Sequence, residues 1–270
     1  MTYDFIKYPR TPHLEGSRLQ PGDVDDGLSF ASLPDGEWVW EEKLDGANTG
    51  ISFNKDGVMQ LQSRGHFLQG GARERQFGRL KAWASLYEDV LFDRLTDRYV
   101  AYFEWMAAKH SIFYDALPHL AMEEDVYDRL ERRFLSTAER HALFEGTGVI
   151  SVPVIHRGRL TKASEANALV VQSLYQTPSW RETLAKAAVR AGVDSDIATA
   201  KADGADRAEG LYLKIETNRG VIARGKWVRR DFVQKIIDDG EHWQDQPLIA
   251  NELAPGVDIM SGPSVIGVAP

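Results

Sequence analysis

The sequence predicts an α+β fold, in which antiparallel strands, several of them in hairpins, form a sheet and helices pack outside it. Three observations carry this. Short alternating runs such as TGISF and VMQLQS flank turn residues. Longer stretches repeat apolar residues at three- and four-residue steps, as on a helix. No internal repeat or low-complexity segment interrupts the 270 residues.

The elements follow in order. NKDG, residues 54–57, joins two alternating runs and reads as a hairpin turn. Lys43, in WVWEEKLDGANTGISF, therefore falls on or just beside the first hairpin strand. From 73 to 95, Phe77, Leu80, Trp83, Tyr87, Val90 and Leu91 make one helical face. YVAYFEW (99–105) and HLAMEEDVY (119–127) read as strands. Ser136 with Glu139 forms a capping box, and Gly146 supplies a stop. GVISVPVIH (148–156) is another strand. Thr177-Pro178 opens a helix that ends near Gly192, with Trp180, Leu184 and Ala188 on one face. Residues 193–208 are polar and predict a mobile loop. GLYLKIE and VIARGKW are strands joined by TNRG, and a last helix covers roughly 229–239. The thirty or so residues after it are too few for a second domain.

Composition narrows the function classes. The formal charge is −8, which excludes a uniformly basic nucleic-acid binder but allows a local basic face. With no cysteine, disulfides and thiolate metal sites are impossible. No run approaches the roughly 20 apolar residues that span a bilayer. The start, MTYDFIKYPR, lacks a signal-peptide layout. A cytoplasmic protein without a membrane partner is expected.

Lys43 sits in an apolar run and is followed by Asp45, Gly46 and Asn48. It is either a solvated charge or a nucleophile. A nucleophile must shed its proton, and lowering its pKa from about 10.4 to about 7 takes roughly 4.6 kcal/mol. Burial and gathered cations could supply this, with Arg64, Lys214, Arg224 and Lys226 as candidates. Glu42 should face away, because strand side chains alternate.

EEKLDGAN resembles the nucleotidyl-lysine motif, K-x-D/H-G, of the covalent nucleotidyltransferases: DNA ligases, RNA ligases and mRNA capping enzymes. SRG (63–65), FEW (103–105), EDVYD (124–128), EGLYLK (209–214) and ARGKW (223–227) resemble the remaining motifs, in the family's order. Asn48 and the Arg224/Lys226 pair make the likeness greatest to phage-type and bacterial ATP-dependent RNA ligases. Members of that branch often carry histidine at the position of Asp45 and lysine at that of Arg224. Only 44 residues follow Lys226, so the oligonucleotide-binding barrel that DNA ligases and capping enzymes append has no room.

The resemblance implies an antiparallel-sheet nucleotidyltransferase (adenylation) domain over 1–240, with a short extension over 241–270. It implies sealing of RNA 5′-phosphate and 3′-hydroxyl ends through lysyl-AMP on Lys43, using ATP and Mg²⁺ or Mn²⁺. Lys226, Arg224 and Lys214 would meet the charge on the α-phosphate. Glu209 would serve the metal and Glu104 the ribose. Arg64 would bind ribose or phosphate, and Asn48 metal-bound water or phosphate. Asp45 belongs to the nucleotide-binding set. An aromatic residue of the 119–128 strand usually stacks on adenine, and Met122 is the substitute here. RNA is the partner, and a separate end-healing kinase or phosphatase is a further one.

Plain alternatives stand beside these roles: a structural salt bridge for Glu104, a solvated strand end for Glu209, a turn arginine at Arg64, a solvated stripe at Arg224 and Lys226, and a snorkelling Lys214. His13 reads as structural or RNA-facing, and His242-Trp243 as a base stack or core tryptophan. For the whole chain, a compact DNA ligase, a GTP-using capping-type enzyme and a non-catalytic nucleic-acid-binding module remain open. The basic stretches are 64–81, with five basic residues to one acidic, and 214–235, with seven to two. Both flank proposed active-site motifs, as a phosphate-tracking groove requires.

Overall fold

The computed structural model describes residues 5–19, 23, 27–232 and 248–261. Within them the chain forms one curled sheet: β1 Glu37–Lys43, β2 Ala47–Phe53, β3 Met59–Ser63, β4 Tyr99–Trp105, β5 Ala121–Asp128, β6 Arg133–Phe134, β7 Ile150–Ser151, β8 Val154–Arg157, β9 Gly210–Thr217 and β10 Gly220–Val228. The strand order is β3-β2-β4-β5-β6-β10-β9-β1-β8, with β7 added in parallel to β5 and the other pairs antiparallel. The helices are α1 Gly78–Leu86, α2 Glu88–Leu95, α3 Thr137–Phe144, α4 Ala163–Leu169, α5 Trp180–Arg190 and α6 Ser195–Ala200. The expected α+β antiparallel-sheet architecture is present.

β1 and β2 are consecutive in the chain yet have five strands between them in the sheet. Only Leu44, Asp45 and Gly46 connect them, so the sheet must curl back until the end of β1 meets the start of β2. Lys43 stands at that corner. It belongs to β1, bonded to β8 and β9, rather than to the hairpin. The hairpin itself is β2–β3. The Asn54 side chain accepts from the Asp56 and Val58 amides, and Gly57 supplies a φ of +75°.

Strand alternation sorts charge from apolar bulk. On β1, β9 and β10, Trp38, Trp40, Leu211, Leu213, Ile215 and Trp227 face an apolar cluster closed by Phe30, Leu33 and α4. Glu41, Lys43, Tyr212, Lys214, Arg224 and Lys226 share the other face. The larger core lies on β2, β4 and β5 under α1 and α2.

The helix expected over 73–95 is a 3₁₀ turn, Ala72–Phe77, followed by α1 and α2, with the break at Tyr87. The capping box at Ser136 and Glu139 is formed. The single strand expected over 148–156 divides at Pro153, and its halves pair with different strands: β7 with β5 and β8 with β1. The loop expected over 193–208 contains α6, capped by Asp194, with Ala198 and Ala202 buried beside α5. Alanine buries too little surface to announce such a helix by pattern. Residues 229–232 form a turn, while the rest of the expected last helix, Lys235 and His242-Trp243 lie outside the described residues.

Residues 248–261 return to brace the 106–117 loop behind the corner. Asn251 is buried, accepts from the Tyr114 amide (3.0 Å) and donates to the carbonyls of Met106 (2.9 Å) and Ala108 (3.2 Å). Asn251→Ala leaves these backbone groups without partners and is expected to lower unfolding free energy by about 2–3 kcal/mol in a urea titration.

Candidate active site

The Lys43 side chain is 16% exposed, and its Nζ lies 2.7 Å from Glu209 Oε2. Pairing fixes this meeting: Lys43 stands opposite Gly210, which places Glu209 just before β9 at the same corner. Beyond the corner the Gly46 amide donates to Glu104 Oε1 at 2.8 Å. A Cβ at Gly46 would lie 2.7 Å from the Trp105 carbonyl and the Met106 sulfur, so only glycine fits there. The Asp45 carboxylate accepts from the amides of Ser111 (2.7 Å) and Ile112 (2.8 Å), and its own amide donates to Tyr114 Oη (2.9 Å). Asp45 thus clamps the 106–117 loop and positions the corner.

Acids, not cations, surround the lysine amine. Burial draws its pKa down, but Glu209, Tyr212 and Glu104 outweigh burial and hold the ammonium above its ordinary value. The expected depression by gathered cations is therefore absent from this arrangement. The cost falls on the acids instead. Burial lifts Glu209 to about 7, against the opposing pull of Lys43. Burial, with Asp125 beside it, lifts Glu124 to about 7. Burial and Glu124 raise Glu104 well above the carboxylate range.

Most of the expected cations are already committed. Lys214 is buried, 2.6 Å from Glu41 Oε2 and 3.3 Å from Asp125 Oδ1, and donates to the Glu124 carbonyl. These contacts tie β9 to β1 and β5. Arg224 pairs with Asp125 at 3.2 Å and lies over the Phe134 and Tyr8 rings. Lys226, opposite Tyr212, is the expected phosphate cation that remains at the corner; burial and Lys43 lower its pKa. Arg64 is exposed just after β3, where the Thr49–Ser63 pair ends the ladder beside Asn48.

The expected basic surface is partly internal as well. In the second stretch Arg229 is fully buried against Asp203 and Asp231, while Arg219 and Arg230 are exposed. In the first, Arg64, Arg75 and Arg79 are exposed and Lys81 pairs with Glu74; the Arg73 side chain lies outside what is described.

Met122 is 0% exposed inside the main apolar cluster and offers no surface to a base. The β5 side chain that meets the site is Glu124, which sequence reasoning passed over. Tyr102 pairs with Asp125 and Phe103 with Glu123, so Glu124 is the extra residue of a bulge. A bulge re-aims one side chain, and here Glu124 Oε1 accepts from Asn48 Nδ2 at 2.7 Å.

Among the described residues no cluster of three or more His, Asp or Glu side chains could hold a metal ion alone. A hard cation would take its other oxygens from phosphate and water, as Mg²⁺ does. The buried Asn48 Oδ1 has no hydrogen-bond partner, and the acids raised by burial call for positive charge, so the donor set fits such an ion. No described helix is long and apolar enough to cross a membrane.

A family model described as RNA ligase matches residues 36–228, which include every residue from Lys43 to Lys226. No curated protein matches the sequence. Among solved structures, an unliganded aspartate-to-alanine variant of Naegleria gruberi RNA ligase is similar at 15% identity and a TM-score of 0.48, over 83% of this chain and 61% of that one. An arginine-to-alanine variant of the same enzyme with ATP and Mn is similar at 16% identity and 0.47, over 82% and 60%. The same enzyme with PPi gives 17% and 0.45, over 84% and 61%. The chain thus spans about three fifths of the length of these proteins.

Proposed function

The chain belongs to the RNA ligase family, and from that premise we propose that it joins RNA 5′-phosphate and 3′-hydroxyl ends with ATP, through an AMP carried on Lys43. The observation that carries this reading is the buried Lys43–Glu209 pair at the corner where Lys226 and Glu104 converge.

Lys43 Nζ attacks the α-phosphorus, a P–N bond forms and pyrophosphate leaves with the broken P–O pair. The AMP then passes to the RNA 5′-phosphate, which frees the Lys43 amine. Attack by the 3′-hydroxyl joins the strands and releases AMP. Lys226 meets the charge on the phosphate oxygens in the first step. As an ammonium bonded to Glu209, Lys43 is inert; once Glu209 turns away, burial draws the amine toward its neutral form against the remaining hold of Tyr212 and Glu104. Glu209 and Asn48 are the residues that would hold Mg²⁺ or Mn²⁺, which supplies charge neutralisation for the triphosphate. Glu104 and Glu124 line the nucleoside side. The exposed Arg64, Arg75 and Arg79 offer the strand a phosphate-binding surface.

Intact mass of the purified chain, before and after ATP with Mg²⁺, tests the reading. One added AMP is expected. A GMP adduct from GTP instead would favour a capping-type reaction, and no adduct with any nucleoside triphosphate would favour a binding module. Sealing of nicked RNA but not nicked DNA is the expected preference, and the reverse points to a DNA ligase.

A pH dependence follows from Glu209. Its carboxyl titrates at about 7, so at lower pH it carries a proton and cannot engage a cation. Adduct formation at limiting Mg²⁺ is therefore expected to rise as pH increases through about 7, and Glu209→Gln should flatten that rise along with lowering the rate.

A further inference from the structure

Residues 12–18 lie ahead of the family-matched region and run along β10 at the level of Lys226. The Lys226 amide donates to the Pro12 carbonyl and the Leu14 amide to the Lys226 carbonyl, both at 2.9 Å. Two residues on, the Arg18 amide donates to the Val228 carbonyl and the Val228 amide to Ser17 Oγ, again at 2.9 Å. This docking buries the His13 ring beside Lys226. Its Nδ1 lies 2.7 Å from Ser17 Oγ, and its Nε2 lies 2.8 Å from Asp23 Oδ2. The other Asp23 oxygen stands 3.3 Å from Lys226 Nζ.

We propose that Asp23, held by His13, is a positioning residue for Lys226: it fixes the direction of the ammonium, so that its remaining protons face the reacting phosphate of a nucleoside triphosphate. This rests on the lysyl-AMP reading above.

The need for such a residue is physical. A lysine ammonium is a point charge on a flexible stem, worth about 2 kcal/mol of rotamer entropy, and does not aim itself. Among the described residues, the groups that act on Lys226 include Lys43 from β1, which repels it, and Glu209 ahead of β9, which attracts it. Tyr212 stands directly opposite on β9, and Asp23 and His13 come from the N-terminal segment. Without Asp23 the balance tips: the ammonium is pushed by Lys43 and drawn to Glu209, the acid required elsewhere. A rim salt bridge would be worth little. This one is backed by a buried imidazole whose two nitrogens are both engaged, so the carboxylate cannot drift. Asp23 also opposes the loss of the Lys226 proton that burial and Lys43 promote.

The test uses the full chain. Single-turnover formation of the AMP adduct is followed by intact mass across ATP concentration and pH, in the wild type, Asp23→Asn, Asp23→Glu and His13→Asn. Asp23→Asn should lower the saturating rate about tenfold with little change in the ATP concentration needed, and the deficit should widen as pH rises. Asp23→Glu should recover most of the rate, and His13→Asn should show a smaller loss of the same form. Should Asp23→Asn fail to fold, His13→Asn carries the same test. An unchanged rate at every pH overturns the proposal. So does an undiminished rate reached at lower ATP, which would make Asp23 a plug that competes with the triphosphate. A wild type without any adduct defeats the lysyl-AMP reading itself, a distinct outcome.

Discussion

Lys43→Ala is expected to take up no AMP from ATP and to leave 5′-phosphate RNA ends unsealed, a fall of roughly 10⁴-fold or more because no other group can form the covalent bond. RNA supplied with its 5′ end already adenylated should still be joined, since that step needs Lys226 and the acids but not the amine. The variant also has a stability signature. In the wild type Lys43 restrains the upward push of burial on Glu209. Without it the Glu209 carboxyl keeps its proton to higher pH than the wild-type value of about 7. Above that pH the native variant holds a proton that the unfolded chain has lost, so its stability falls as pH rises while the wild type's contribution from this group is level. Thermal melts of both proteins on either side of neutrality check the sign. An adduct on Lys43→Ala at a wild-type rate would remove Lys43 from the chemistry.

Much of this corner was legible in the chain because it depends on local rules. The turn at Asn54–Gly57 and the box at Ser136 and Glu139 are written in adjacent residues. Alternation along the strands placed Lys43 and Glu42 on opposite faces and Arg224 and Lys226 on the same one. What escaped is non-local. Lys214 and Arg224 read as free cations until β5 brings Asp125, far away in the chain, against both. Met122 is expected at the base because a thioether can replace a stacking aromatic, but it is buried in the apolar cluster; Glu124 meets the site through a bulge whose place no feature of AMEEDVYD marks. The proton on Lys43 is not legible locally either. Its state depends on how many carboxylates converge when the sheet curls, and EEKLDGAN records none of them beyond Glu41, Glu42 and Asp45.

Arg140→Met is expected to be the most destabilising single change outside the apolar cores, by about 3–5 kcal/mol in urea denaturation, because it strands buried carboxylates. Arg140 projects from α3 and is fully buried; one terminal nitrogen donates to both Glu123 oxygens (2.8 and 2.9 Å) and to the Glu124 carbonyl (2.7 Å), and the other to Glu41. Glu41 in turn holds Lys214, which meets Asp125, which meets Arg224 and accepts from Tyr8 Oη. Three acids and three bases therefore balance behind the site, and the lattice ties β1, β5, β9 and β10 to α3. Removing one cation leaves a buried negative charge, and the same region already holds Glu104 and Glu124 with raised pKa values. Replacing Arg140 and Glu123 together by methionine should cost less than the sum of the two single changes, since an apolar pair of similar volume strands no charge between them. The lattice also decides which cations stay out of the chemistry. Lys214 and Arg224 are locked to Asp125; on the proposed reading, in which Lys226 is the cation that meets phosphate, a loosened lattice should slow AMP transfer even in the fraction of Arg140→Met that remains folded. If that variant matches the wild type in both stability and adduct rate, the network is incidental to the site it supports.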